Sequence, residues 1–297
     1  MPRGGTMLVT MRCAGVLLAA AMVLLLNDFL SAAEISKATT SRKAKEEAIE
    51  SIPFDKLDEA TQAKLYGVVS NPSMYRRMPL QITDCDPQLY LFLVRHPEIV
   101  VNIWDLMGIT KVSLKRVGPF SVDAIDGSGT VSRVDLVYGT PEIHILYAQG
   151  TYQGRLLKQK VTGRCVLVLK SWYSQADDGR VQITSQLDLF VQFDQAGADL
   201  LAKTLHPLVG RSADYNFSES TNFLGRISRE AELNGPGMSL LATKLTKVDP
   251  AIRQKFAQLT TALSHKASLK SSPPSAGVTQ AASNSSSRQA TPSSFQR

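Results

Sequence analysis

Between Val181 and Asp194 the chain reads VQITSQLDLFVQFD. In an extended backbone Val181, Ile183, Leu187, Leu189, Val191 and Phe193 fall on one side. Gln182, Thr184, Gln186, Asp188, Gln192 and Asp194 fall on the other, and only Ser185 and Phe190 break the alternation. A repeat of two becomes one apolar and one polar face only in a β-strand. The stretch therefore predicts a long strand of a curved antiparallel sheet, with its apolar side inward and its other side in water. A helical segment follows from about Gly197. The rest of the chain must supply this strand with neighbours and its apolar side with a cover.

The neighbours are legible as short runs separated by turn residues. Lys111–Val117, Phe120–Ile125, Val131–Tyr138, Glu142–Tyr152, Gly163–Tyr173 and Arg180–Asp194 read as strands. Gly118-Pro119, Asp126-Gly127-Ser128-Gly129, Gly139-Thr140-Pro141, Gln153-Gly154 and Asp177-Asp178-Gly179 separate them. Each break holds Gly or Pro, where a chain reversal needs special backbone angles, so the six runs predict a meander.

On the N-terminal side of the meander, Leu80–Thr83 reads as a short strand. Asp86-Pro87 supplies a capping carboxylate and a first-turn proline, which start a helix carrying Leu89, Tyr90, Phe92 and Leu93. Pro97-Glu98 begins a second helix through Ile99, Val100, Ile103 and Trp104, closed at Gly108. Before these, Phe54–Val69 carries a helix ended by Asn71-Pro72, because the residue before a proline avoids the α region. Glu34–Glu50 has little apolar stripe and is expected to be an exposed helix or linker. Tyr75-Arg76-Arg77 is expected to be a solvated basic turn. After the meander, Leu200, Leu201 and Leu205 mark a helix that His206-Pro207 should kink or divide. A longer one runs from Asp214 to Glu232 with Phe217, Phe223, Leu224, Ile227 and Ala231 toward the sheet. Gly235-Pro236-Gly237 ends it, and Asp249-Pro250 caps a last helix with Ile252, Phe256, Leu259 and Leu263 on its apolar face.

The ends of the chain differ in kind from its middle. Arg3 and Arg12 precede an apolar run over Cys13–Leu26, and Ser31-Ala32-Ala33 offers small residues before Glu34, the pattern of an export signal cleaved after residue 33. The run is short for a membrane span, although an uncleaved anchor is the alternative. From Lys266 onward Ser, Ala, Pro and Thr dominate with almost nothing to bury, so the tail is expected to be disordered. The reading thus divides the chain into 1–33, signal; 34–78, helical extension; 79–234, main α+β domain; 235–265, C-terminal helices; and 266–297, tail.

Charge follows the same division. Of the formal +7, the leader carries +1 (Arg3, Arg12, Asp28) and the tail +4 (Lys266, Lys270, Arg288, Arg297), leaving +2 on 34–265. A near-neutral folded part excludes a nucleic-acid-binding domain, which needs clustered Lys and Arg on the fold itself. The basic tail can make at most a weak contact with an anionic envelope surface. The expected address is a bacterial-type periplasm or envelope, or the extracellular space. There Cys85 and Cys165 either pair as a disulfide or stay two separate buried thiols.

The element order, strand, two short helices, six antiparallel strands and a long closing helix, resembles the START-like superfamily of polyketide cyclases and lipid-transfer domains. Asp86-Pro87 and Arg95-His96-Pro97-Glu98 leading to Trp104 are similar to its "DP…W" helix pair. The resemblance covers about Pro79–Glu232. It implies a helix-grip fold, a curved antiparallel sheet wrapped around the long C-terminal helix, with an apolar or lipid-like ligand held between them.

No constellation of side chains points to catalysis. His96, His144, His206 and His265 are scattered without metal-ligand spacing. Asp84 and Asp86 flank Cys85 with no partner histidine, and Asp126–Gly129 leads into no helix that would hold a phosphate. No cofactor and no metal are expected. If a ligand site exists on this fold, its candidate lining is His144, Tyr147, Trp172, Leu187, Leu189, Phe193, Phe223 and Ile227; the aromatics serve equally as core. Two functions stay open: an exported binding protein for an apolar ligand, or a non-catalytic envelope interaction or structural protein with a filled core and Asp249–His265 as helical docking surface.

Overall fold

The computed structural model describes residues 37–154, 159–194 and 198–271. The chain is α+β: a curved eight-stranded antiparallel sheet gripped around a long C-terminal helix, with further helices at both ends. The predicted signal 1–33 and the tail from residue 272 lie outside the described residues.

The sheet is built around Val181–Phe193, β8, whose two edges are both occupied. On one edge it pairs along its whole length with Val161–Gln175, β7. On the other edge two short strands lie end to end: Met74–Arg77, β1, pairs with residues 188–191, and Gln81–Asp84, β2, pairs with residues 182–185. Beyond β7 the meander continues through Ile143–Tyr152 (β6), Thr130–Gly139 (β5), Ser121–Ile125 (β4) and Ser113–Gly118 (β3). All six runs expected from the turn signals are present. At the Asp126–Gly129 turn the Asp126 carboxylate accepts from the Ser128 and Thr130 amides, and Gly129 sits at a φ of 118°.

The residues of β8 that break the alternation each have a structural cause. Ser185 shares the apolar face but meets the Tyr90 hydroxyl at 2.9 Å. Phe190 is on the side expected to be wet, yet it is 0% exposed, because that side carries a second core. Arg42–Glu50 (α1) and Glu59–Val69 (α2) lie over it with Ala44, Ala48, Leu65, Val68 and Val69 against Tyr75, Ile145, Val166, Val168 and Phe190. The expectation of an exposed α1 is therefore corrected. Two alanines one turn apart make no stripe visible in the sequence, but their small side chains allow a helix to lie close on a sheet.

Tyr75-Arg76-Arg77 is likewise not a solvated turn. It forms most of β1, with Tyr75 buried and both arginines paired with carboxylates.

The other face of the sheet carries the longer helices. Asp86 caps Pro87–Arg95 (α3) through the Gln88 and Leu89 amides, and Pro97–Leu106 (α4) follows at once. Ala198–Leu233 (α5) is one helix, so Pro207 does not divide it. A proline removes a single N–H···O bond and leaves those on either side in place. Phe217, Phe223, Leu224, Ile227 and Ala231 are all buried, as the spacing predicts.

Gly235–Lys244 (α6) is a helix where Gly235-Pro236-Gly237 reads as a break. Asn234 caps it through the Gly237 amide, and Pro236 occupies its first turn. Pro250–Ser271 (α7) buries Phe256 and Leu263 and runs beyond the expected end at 265, because Pro273 is the first helix breaker. Phe256 and Leu263, with Ile252 and Leu259 against them, are thus core, packed with residues of α3, α5 and α6.

At Gly225, α5 touches β2. A Cβ there would lie 2.4 Å from Thr83 Oγ1 and 3.2 Å from the Asp84 carbonyl oxygen. We expect Gly225→Ala to lower stability by about 1–2 kcal/mol, since this overlap outweighs the gain of about 1 kcal/mol in helix propensity. In a Thr83→Ala background the same change should be neutral or stabilising. Urea midpoints of the four proteins check this, and an equal effect in both backgrounds would refute the contact.

A second fixed point joins α4 to β3. Glu98, buried at the start of α4, accepts from Arg116 Nε and Nη2 at 2.6 and 2.8 Å, while Arg116 Nη2 also donates to the Arg95 carbonyl oxygen. Burial alone would raise the Glu98 carboxyl; the hydrogen bonds from His96 and Arg116 outweigh it and hold the carboxyl below its ordinary value. Glu98→Gln is expected to cost about 2 kcal/mol, because it strips the charge from a buried partner of Arg116, and the loss should show as a lower urea midpoint.

Candidate functional site

Register sorts the helix-facing side of the sheet into cross-strand rows. The row Val122, Val134, Ala148, Cys165 and Val191 is fully buried, with Ala213 and Phe217 of α5 in the same cluster. Three rows further along β7, Ser171 and Ser185 lie side by side and both meet the buried Tyr90 hydroxyl of α3, at 2.7 and 2.9 Å.

Between these closed rows run two apolar ones. Leu136, Leu146, Leu167 and Leu189 form the first; His144, Leu169 and Leu187 form the second. Leu189 is buried, but Leu136, Leu146, Leu167, Leu169 and Leu187 all remain partly exposed. Five neighbouring leucines thus keep solvent contact between two rows that are buried against α3 and α5. Covering such a surface is favourable by roughly 25 cal/mol per Å², so the trough suits an apolar guest.

His144 closes the β6 end of the trough. It is 0% exposed, and Arg95 Nε at the end of α3 donates to its Nε2 at 3.3 Å. Nε2 must therefore carry the lone pair and Nδ1 the proton, and Nδ1 has no hydrogen-bond partner. Burial first, and then the Arg95 charge, push the imidazole down to about 4 against a weaker pull from Glu142, so the ring is neutral at pH 7. Tyr173, on the same face, donates from its hydroxyl to the Pro141 carbonyl oxygen.

The eight residues singled out in the sequence do not form one site. His144, Leu187, Leu189 and Phe193 are on the helix-facing side; Leu187 lines the trough, while Phe193 sits at the far end of β8 opposite Gly163. Phe223 and Ile227 pack in the cluster of α3, α4, α6 and α7, with Phe223 against Trp104 at 5.5 Å between ring centroids. Tyr147 and Trp172 are corrected outright. Their register with Val166 and Thr184 puts them on the opposite face, Tyr147 in the core under α1 and α2 and Trp172 49% exposed. Leu136, Leu146, Leu167, Leu169 and Arg95 were missed. The leucines lie on other strands, and only the register shows that they adjoin Leu187.

Cys85 and Cys165 are free thiols in separate clusters, so they are not paired. Burial drives both thiols up, Cys85 to about 12, which removes them as nucleophiles at neutral pH. Among the described residues no group of His, Cys, Asp and Glu is placed to hold a metal ion, and no helix is long and apolar enough to cross a membrane. What this face offers is apolar area with one polar end.

No family model matches the chain, nor does any curated protein. Among solved structures, a conserved protein from Geobacillus kaustophilus is 11% identical over 48% of this chain and 93% of its own, with a TM-score of 0.28. A hypothetical protein from Helicobacter pylori is 13% identical over 48% of this chain and 85% of its own, with a TM-score of 0.29. Apo Dicamba Monooxygenase is 15% identical over 66% of this chain and 61% of its own, with a TM-score of 0.30. At this level of likeness they identify neither a family nor an activity.

Proposed function

We propose that this chain is an exported binding protein that holds an apolar, lipid-like ligand between its sheet and α5, in the manner of the START-like domains it resembles. The observation that carries this reading is the pair of leucine rows, partly exposed between rows that α3 and α5 seal. A domain with no ligand to hold gains by filling such a trough with larger side chains or by lowering a helix onto it. Export rests on Arg3, Arg12 and the apolar run to Leu26, followed by Ser31-Ala32-Ala33.

The full chain is expected to bind the uncharged fluorophore N-phenyl-1-naphthylamine saturably, at about one per chain. Leu167→Gln with Leu169→Gln should weaken that binding at least tenfold, because two amides then face an apolar guest. Trp172→Ala, on the opposite face, should leave it unchanged. Native mass spectrometry of protein purified from its own source should show a co-purifying lipid, and N-terminal sequencing should begin near Glu34. Absence of saturable binding together with absence of any retained lipid would favour a filled, non-binding envelope protein instead.

A further inference from the structure

Arg95 is the feature that the leucine trough alone does not explain. It is solvent-exposed, its Nε is spent on His144 Nε2, and among the described residues it has no carboxylate partner. Several other cations on this side of the fold are committed elsewhere. Arg116 is taken up by Glu98 and the carbonyls of Arg95, Gly118 and Pro119; Arg76 pairs with Asp214; Lys247 pairs with Asp105. Lys170 is on the opposite face with Asp188.

The backbone of Arg95 is also anchored, because its carbonyl accepts from Arg116. A fixed, unpaired guanidinium thus stands at the His144 end of the leucine rows. Beside it, the Nδ1 proton of His144 is buried without an acceptor.

Resting on the binding reading above, we propose that the ligand is a single-chain amphiphile with a carboxylate head. Its chain lies along Leu136, Leu146, Leu167, Leu169 and Leu187, and its head pairs with the free Nη groups of Arg95. The planar fork of a guanidinium matches the two oxygens of a carboxylate. One unpaired cation, with the charge of Glu142 acting on the same histidine, suits one negative charge better than the two of a phosphate monoester. Since an apolar chain binds through area alone, the head decides which amphiphile is preferred.

The test is displacement of N-phenyl-1-naphthylamine from the full chain by dodecanoate and by 1-dodecanol at pH 7.5. The wild-type protein should prefer the acid at least tenfold. In Arg95→Met that preference should fall to about one, and in Arg95→Lys it should return in part, because a single charge is restored without the fork. Equal affinity for acid and alcohol in the wild-type protein, or an unaltered preference in Arg95→Met, would overturn the headgroup assignment and leave the apolar site standing. Failure of both amphiphiles and of the fluorophore to bind would overturn the site itself.

Discussion

Asp188→Ala is expected to cost the fold about 3–5 kcal/mol, the range for stripping one partner from a buried ionic cluster. Asp188 is 0% exposed on the α1 side of β8. Its Oδ1 accepts from the Tyr75 hydroxyl at 2.6 Å and from Arg77 Nε at 2.8 Å, and its Oδ2 lies 3.2 Å from Lys170 Nζ. Arg77 in turn donates to Glu47 Oε2 and to the Ala44 carbonyl oxygen, so one side chain joins α1, β1 and β8. Burial works against the Arg77 charge, but the bonds to Asp188 and Glu47 outweigh it and hold its pKa above the ordinary value. Without Asp188, Arg77 keeps Glu47, but its Nε and Lys170 Nζ lose the buried carboxylate that they share.

Urea denaturation should show the loss, and hydrogen exchange should show it first in α1, whose attachment runs through Arg77. Arg77→Met added to Asp188→Ala should restore part of the stability by removing a charge that has lost its buried carboxylate. A loss under 1 kcal/mol, or no recovery in the double variant, would mean that the cluster is incidental to the fold.

Acid should weaken the protein as soon as the pH falls below about 6.5. His144 has a folded-state value near 4 against an ordinary 6.5, so between those limits the unfolded chain binds the extra proton and the folded one does not. Stability therefore falls as pH falls from 6.5 toward 4 and loses nothing more from this residue below that, for a total of about 3 kcal/mol. Glu98, with its carboxyl held low, acts in the opposite pH range: its contribution is complete above its ordinary value and is lost only at lower pH. The two groups thus separate along the pH axis. His144→Gln should flatten the wild-type slope in urea midpoint between pH 6.5 and 4.5, and a slope that persists in the variant would assign it to other groups. Because Arg95 donates to the same imidazole, protonation of His144 should also loosen the β6 end of the trough.

How much of this was legible follows from the range over which each signal acts. The alternation in β8, the Gly and Pro breaks of the meander and the Asp86-Pro87 cap are all local. Each depends on the backbone needs of a few consecutive residues, and each appears where the sequence places it. The second core was not legible. Its helix α1 offers only Ala44 and Ala48, and its β1 strand reads MYRR, so nothing local separates these residues from a solvated extension. On β8 its visible trace was Phe190, a large apolar side chain on the polar side of the strand.

The sequence by itself therefore determined the order of elements, the antiparallel class of the sheet and the inward face of β8, because periodicity and turn chemistry are properties of neighbouring residues. Only the tertiary structure decided the pairing of β1 and β2 with the two halves of β8 and the burial of Asp188 between Tyr75 and Arg77. It alone set Tyr147 and Trp172 apart from His144, and brought Arg95 to the end of five leucines drawn from four strands. Those relations depend on register between segments tens of residues apart, and a shift of one residue in any pairing would turn each side chain to the other face.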